Sequence, residues 1–349
     1  MKSWSATSFG TPRQALTLNP SIPLPTPNLT STSTALLLKI THVSLNPADL
    51  VLLRSLPPWL PFRRAPVPGC DFAGEIVALG GAVPDELGLA VGDRVCGALG
   101  LAGVALGRGT LAEFVVVDCG LVAKVPARWG GAMAVGVMGI AGQTAAQMVK
   151  GVVGDGGGGL EGRRVLVNGA SGGVGTVVVQ ICKGLGAEVV AVCSGANAGL
   201  VERLGAVEAV DYRVHDPLED HLAERFGEAP FDAILDCAGS QALYANSPRY
   251  LKPDGKFINI VGGWSQGVVP FVRNKLRPCL LGGTPRSYEL FLLSASGKTA
   301  REVAAWVEQG VIKEALIDSE FSMEQVVEAY EKLATGRAKG KIVVKVDNS

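Results

Sequence analysis

The stretch from Val165 to Gly175, VLVNGASGGVG, limits what this chain can fold into more than any other, because it runs an apolar segment into a turn of small residues and then into a helical pattern. Val165, Leu166 and Val167 suit a strand buried on both faces. Gly172, Gly173 and Gly175 let backbone amides at a helix N-terminus approach a pyrophosphate with no Cβ in the way. With 46 glycines in 349 residues the spacing Ala170-x-Gly172-x-x-Gly175 says little by itself. Its context decides. The helical stretch Val174 to Leu185 leads into a second apolar run, Val189 to Cys193, so strand, turn, helix and strand fit the roughly 30 residues of a dinucleotide-binding βαβ unit.

The kind of dinucleotide depends on the end of the second strand, where an NAD site usually places a carboxylate on the adenosine ribose. Ser194 stands there, and no Asp or Glu follows until Glu202. Nothing nearby in sequence repels a 2'-phosphate, which favours NADPH. Gly195, Ala196 and Asn197 bring no cation, so that phosphate would need Ser194, Asn197, Tyr212 or a more distant base such as Arg213.

A chain of this length exceeds one compact core of usual size and predicts two domains. Its 32 basic and 32 acidic residues cancel and form no run, which argues against nucleic acid as the main partner. The seven cysteines, at 70, 96, 119, 182, 193, 237 and 279, are odd in number and never spaced as CxxC. They read as thiols in a reducing compartment, and the cytoplasm is expected. Met1 to Phe9 lacks the apolar core of a signal peptide and reads as a first strand. Trp129 to Val149 carries no charged residue over a length that could span a membrane, yet its glycines, glutamines and Thr144 suit a helix packed inside a protein.

Along the chain, residues 1 to 18 read as two short strands around a turn at Gly10 to Pro12, and Asn19 to Thr34 as a loop. Ala35 to Leu45 alternates as a strand, with Leu36, Leu38 and Ile40 on one face. It delivers the chain to Asn46-Pro47-Ala48-Asp49, where proline stops the ladder. Further strands are expected at Phe72 to Leu79, Arg94 to Gly97 and Leu111 to Val117, which suggests an antiparallel, barrel-like domain. After Pro126 strand and helix alternate. Ala209 to Asp211, Ala233 to Cys237 and Phe257 to Val261 are spaced as strands of a parallel sheet, and the turns after them are expected to line the nicotinamide half of the site. Two helical stretches, Ala300 to Gln309 and Met323 to Thr335, precede a last strand, Lys341 to Val346.

These residues resemble the medium-chain dehydrogenase/reductase superfamily, in its zinc-independent quinone oxidoreductase and enoyl reductase branch. The likeness rests on SLNPADL at 44 to 50, PGCDFAGEIVALG at 68 to 80, VGDRV at 91 to 95, GTLAEFVVV at 109 to 117, GQTAAQ at 142 to 147, VNGASGGVG, LDCAG, GKFINIVGG and the terminal GKIVVKV. The tail segment LIDSEF at 316 to 321 resembles the subgroup of chloroplast envelope quinone oxidoreductase homologues. The resemblance implies an α/β chain: a GroES-like, mainly β catalytic domain at 1–124 and 286–349, with a doubly wound Rossmann domain inserted at 125–285. It also implies NADPH, and a homodimer formed through the Rossmann domain along Leu276 to Leu281. Zinc-dependent relatives carry a Cys where Asn46 stands and a His where Cys70 stands, so both ligand types are missing. His42, His215 and His221 have no metal-ligand spacing with any cysteine.

By the same resemblance Asn46 and Asp49 sit beside the nicotinamide ribose, Thr144 near the nicotinamide, Ser171, Gly172, Gly173 and Val174 on the phosphates, and Lys341 near the pyrophosphate. Cys237, Val261 and Gly262 are expected along the nicotinamide half. Each has a plainer reading beside it. Asn-Pro-x-Asp is also a helix cap, Thr144 a packing residue and Lys341 a surface lysine. The expected chemistry is metal-free hydride transfer to an activated C=C bond or a quinone. One alternative is a trans-acting enoyl reductase serving a polyketide synthase, with the apolar Leu52 to Leu60 loop walling an acyl channel. Another is a structural protein that binds NADPH without turnover.

Overall fold

The computed structural model describes residues 1–346 apart from 9, 61–62, 64–65, 155–157, 262–273, 278–280 and 292–293, and apart from the side chain at 101. The chain forms two compact units, one made of Met1–Gln143, Leu293–Glu308 and Ala315–Ser349, the other of Thr144–Leu292 with Gln309–Glu314. Sequence reasoning put the first change at 124/125. The compact unit continues to Gln143 because the small-residue helix Gly131–Met138 packs on the strands of the first sheet.

In the first unit the strands run in the order Ile317–Ser322, Lys341–Lys345, Ala35–Leu45, Asp71–Leu79, Arg94–Ala98 and Val122–Lys124. Ala35–Leu45 is the organising strand. One edge pairs with Asp71–Leu79, while the other is shared by Phe114–Asp118 along its first half and Lys341–Lys345 along its second. Its alternation is what the sequence predicts: Leu36, Leu38 and Ile40 are fully buried. The register with Asp71–Leu79 shifts between Ile40 and His42, and Thr41 Oγ1 donates to the Ala73 carbonyl at 3.1 Å. Such irregularities bend a strand and re-aim the residues beyond them. The residues re-aimed in this strand are Ser44, Leu45 and Asn46.

The N-terminal hairpin pairs Ser3–Ala6 with Leu16–Asn19, and a short helix, Pro12–Ala15, stands where a simple turn is expected. Pro12 at the first helical position and the Thr11 amide donated to Gln14 Oε1 at 3.2 Å explain why the four residues from Pro12 continue the turn as helix.

The second unit holds a six-stranded, all-parallel sheet in the order Glu208–Asp211, Glu188–Cys193, Arg164–Asn168, Phe231–Asp236, Leu251–Asn259 and Ser287–Leu290. In chain order that is 3-2-1-4-5-6, the doubly wound Rossmann arrangement, whose strand order reverses between Arg164–Asn168 and Phe231–Asp236. Leu166, Val190, Val192, Ile234 and Phe257 form its core, with Tyr244 tilted against Phe257 and Tyr288. The apolar stretch Gly131–Val153 is helical and long enough to cross a membrane, but 78% of its most apolar window is buried inside the protein.

Candidate active site

Two polar clusters stand out, one in each unit. In the second unit the strand Arg164–Asn168 ends in a turn that hands the chain to the helix Gly175–Gly184. Gly169 adopts φ +73°, and the amides of Gly169 and Ala170 both donate to the Val192 carbonyl at 3.1 Å, tying the turn to the neighbouring strand. A Cβ on Gly175 would lie 2.3 Å from the Gly169 carbonyl oxygen, so only glycine lets the helix start this close. The first amides of a helix lack intrahelical partners and carry its positive pole, which makes this end a seat for a pyrophosphate.

Beside the turn, Asn197 Nδ2 donates to Ser171 Oγ at 3.0 Å, while Asn197 Oδ1 is buried with no hydrogen-bond partner. A hydroxyl both donates and accepts, so turning the amide over keeps the Ser171 bond and offers Nδ2 instead. The orphan end therefore suits either a ribose hydroxyl or a phosphate oxygen. Tyr212, 47% exposed, donates its amide to the Cys193 carbonyl at 3.3 Å, which brings it next to Ser194. The Arg213 guanidinium stacks 5.7 Å above the Tyr212 ring. Ser171, Ser194, Asn197 and Tyr212 are thus gathered at one edge of the sheet, and Arg213 brings a cation beside Tyr212. The fold also brings an acid that sequence distance concealed. A Cβ on Gly195 would sit 2.4 Å from Asp211 Oδ2, and Asp211 Oδ1 accepts the Arg213 amide at 2.9 Å.

The other half of the crevice is built on three adjoining strand ends, Asn168, Asp236 and Asn259, which lie in register across the sheet. Asp236 accepts from Asn168 Nδ2 at 2.8 Å and from the amides of Ala238, Gly239 and Ser240 at 2.7 to 3.0 Å, while burial pushes its carboxyl upward. Asn259 Oδ1 accepts the Val261 amide at 2.7 Å. These side chains shape the turns that carry Cys237 and Val261, and sequence reasoning passed over all three. Desolvation and Asp236 push the Cys237 thiol up, away from the thiolate form. Gly262 lies outside the described residues. Thr144 is buried at the start of the second unit, on the helix Ile140–Val153.

In the first unit Asn46 is the N-cap of the helix Pro47–Ser55. The cap is made by the other partner: Asp49 Oδ2 accepts the Asn46 amide at 2.7 Å, and the Asn46 side chain makes no capping bond. That side chain faces a buried network instead. Asn46 Oδ1 accepts from Lys341 Nζ at 2.6 Å, and Asn46 Nδ2 donates to Asp71 Oδ2 at 2.9 Å. Asp71 Oδ2 also receives Ser44 Oγ at 2.5 Å and Lys341 Nζ at 3.4 Å, and Asp71 Oδ1 receives the Ile140 amide at 2.7 Å. Ser44 and Asp71 lie inside the SLNPADL and PGCDFAGEIVALG segments without having been given a role there, Ile140 lies in no motif, and only the fold brings the three together.

Two expectations need correction. Lys341 is 4% exposed, and its three protons meet the Leu45 carbonyl at 2.9 Å, Asn46 Oδ1 and Asp71 Oδ2, leaving none for a pyrophosphate. Asp49 is 2% exposed, with Oδ2 accepting the Asn46 amide and Oδ1 the Cys70 thiol at 3.1 Å, so burial keeps it from a ribose hydroxyl. Burial, reinforced by Asp71, raises the Asp49 carboxyl to about 6, and burial with Asp49 pushes the Cys70 thiol well up.

Residues 32–127 match the family profile of the alcohol dehydrogenase GroES-like domain, and 204–344 that of zinc-binding dehydrogenases. The second description raises the question of a metal, and this site does not fit one. The Cys70 thiol is held protonated against Asp49, and an ammonium already sits 2.6 Å from Asn46 Oδ1. Among the described residues no group of three His, Cys, Asp or Glu is arranged to hold an ion.

The chain is 34% identical to the medium chain reductase pydE of an Acremonium species, covering 99% of both chains. It is 33% identical to the chloroplast envelope quinone oxidoreductase homolog of Arabidopsis thaliana, covering 93% of this chain and 92% of that one. Among solved structures, the quinone oxidoreductase of Coxiella burnetii superposes with a TM-score of 0.78 at 24% identity, covering 99% of each chain. A mycobacterial protein solved with NADPH superposes at 0.76, also at 24% identity and 99% coverage of each. Sequence, strand order and likeness agree: the chain is an oxidoreductase of the medium-chain dehydrogenase/reductase superfamily, in the branch of quinone oxidoreductases and enoyl reductases.

Proposed function

We propose that the chain is an NADPH-dependent reductase that delivers hydride to an activated C=C bond, in an enone, enal or enoyl thioester, or to a quinone, without a metal. The observation that carries this reading is the first-unit cluster, which offers an amide donor and a resident ammonium where zinc-dependent relatives hold a Lewis acid. When bound, NADPH supplies the hydride. Ser171, Gly172, Gly173 and Val174 would hold its pyrophosphate, Ser194, Asn197 and Tyr212 with Arg213 its adenosine 2'-phosphate, and Cys237, Val261 and Thr144 would serve its nicotinamide half.

Hydride addition at the β-carbon pushes an electron pair onto the substrate oxygen. The second hydrogen on Asn46 Nδ2 donates to that oxygen as charge develops, and such a donor is worth about 10²-fold in rate. Water then protonates the α-carbon of the enolate, or the oxygen of the quinolate left by hydride transfer to a quinone. Steady-state assays with a panel of enones, enals, enoyl thioesters and quinones test this. NADPH oxidation with at least one class is expected, and none with any would refute it. The same protein titrated with NADPH and NADH tests the cofactor, since Asp211 opposes and Arg213 favours the 2'-phosphate. Equal dissociation constants would remove the preference.

A second reading narrows the role to a trans-acting enoyl reductase serving a polyketide synthase. What favours it is that pydE and the trans-enoyl reductases poxH of Penicillium oxalicum and pgmF of Aspergillus terreus match at 30 to 34% identity over nearly the whole chain. The loop with exposed Trp59 after the helix Pro47–Ser55 would face the acyl chain. Equal turnover of a carrier-bound and a short free enoyl thioester would count against it. We place the protein in the cytoplasm, consistent with six free cysteines among the described residues. Exposed Leu276 and Leu281 support a homodimer through that face, although 278–280 lie outside the described residues. A monomeric mass by light scattering would remove it.

A further inference from the structure

Lys341 and Asp71 are among the few charged side chains buried in the first unit, and removing such a pair from water carries a desolvation penalty that their attraction need not repay. A buried pair is weak evidence of stability, so its use lies in what it arranges. What it arranges is one amide. Oδ1 of Asn46 faces the ammonium and Nδ2 faces the carboxylate. The two ends of an amide are nearly the same shape, so an asparagine flanked by neutral groups can sit either way round. This one cannot. Turning it over would set the NH2 group against the Lys341 ammonium and the oxygen against Asp71, two repulsive contacts in a buried setting.

The rest of the network holds the clamp itself in place. Asp71 is fixed from both sides, by the Ile140 amide on Oδ1 and by Ser44 on Oδ2. Lys341 is anchored by the Leu45 carbonyl and lies at the start of the strand that pairs with Ser44 and Leu45. Asp49 holds the Asn46 main chain. Backbone, oxygen and nitrogen of Asn46 are each set by a different group.

We propose that Lys341 and Asp71 are positioning residues, an ion-pair clamp that fixes the Asn46 amide in one orientation and leaves its second Nδ2 hydrogen as the donor to the reacting oxygen. Lys341 acts on the protein and not on the cofactor. A dipole aligned before the reaction needs no reorganisation when charge develops, which is where such donors gain their effect. The clamp matters to turnover only if Asn46 is the donor described above, and the experiment separates the two.

Lys341→Met, Asn46→Ala and the double variant are compared in the full-length protein by three readouts. Lys341→Met is expected to change the NADPH dissociation constant less than about 2-fold and to lower kcat about 30-fold with little change in KM. It is expected to cost nothing further in the Asn46→Ala background. A rise of about ten-fold or more in the NADPH dissociation constant, or losses that multiply in the double variant, would overturn it. The third readout needs no turnover: in the protein without cofactor, the Asn46 side-chain amide protons should be resolved and slow to exchange with solvent, and lose both properties in Lys341→Met. An unchanged amide spectrum would refute the clamp, whereas an unchanged kcat in Asn46→Ala would refute only the donor role. If Lys341→Met does not fold, the paired variant Lys341→Met/Asp71→Asn, which buries no charge, undergoes the same three measurements with the same expected outcomes.

Discussion

The phosphate turn of the second unit and the Asn46 network of the first differ in how far apart their parts lie along the chain. Gly169 to Gly175 is a single run of residues, held by bonds to the next strand over. The Asn46 network joins Ser44, Asn46, Asp71, Ile140 and Lys341, and the bond from Lys341 to Asn46 closes 295 positions of chain. The first needs only local backbone geometry and small residues. The second exists because three strands and two helix starts meet, so its members are individually ordinary. The turn should therefore break by steric insult at one position, and the network by changes of charge or hydrogen-bond pattern at any of several.

The largest effect is expected at the turn. Gly175→Ala puts a methyl against the Gly169 carbonyl and the Ala170 backbone, with no flexible side chain to yield. Loss of NADPH binding by more than about 100-fold is expected in a fluorescence titration, with circular dichroism to show that the second unit still folds. Binding near wild type would mean that the turn is not a close-packed cradle.

In the network the next effect is one of pH. The Asp49 carboxyl stands at about 6 in the folded protein against an ordinary 3.8, so between these values the native state holds more protons than the unfolded one. Stability should then fall as pH rises through that window and stay at the lower level above it, by up to about 3 kcal/mol. Asp49→Asn keeps an oxygen for the Asn46 amide and removes the titration. Denaturant unfolding near pH 4.5 and pH 7 should show wild type gaining on the variant as the solution becomes acidic. A constant difference would mean that Asp49 does not titrate in this window.

A smaller effect is expected at the edge of the second unit. Arg213→Ala should weaken NADPH about ten-fold and leave NADH within about 2-fold, because a charge-assisted bond to the 2'-phosphate is all that is lost. If both cofactors weaken equally, Arg213 acts through Tyr212 and the loop.

Much of the fold was legible from periodicity. Ala35–Leu45 has the same bounds in the structure as in its pattern of alternation, and the glycine turn lies where its small residues put it. The strand Leu251–Asn259 was legible only from Phe257 onward. Pairing with Phe231–Asp236 is made at Leu251 and resumes at Lys256, with the register shifting between Phe231 and Ala233, so Lys252-Pro253-Asp254-Gly255 bulges out of the ladder within the strand's bounds. The proline and glycine of that bulge interrupt the alternation by which a strand is legible in sequence. For the site, residues that carry a motif were legible as members and not in their orientation. Asn46 was recognised, but its side chain turns from the cap to Lys341, and Lys341 itself faces inward from its strand.

The sequence alone determined the two kinds of domain, the place of the glycine turn between strand and helix, and the residue types at positions 46 and 70. Each depends on residues adjacent in the chain or on side-chain identity at one position. Only the tertiary structure decided what Asn46 faces, that Asp211 lies against Gly195, and that Lys341 is enclosed by three acceptors. Those outcomes depend on distances between strands remote in sequence. A buried charge finds its partner only when the sheet is assembled, and no local pattern encodes which carboxylate that will be.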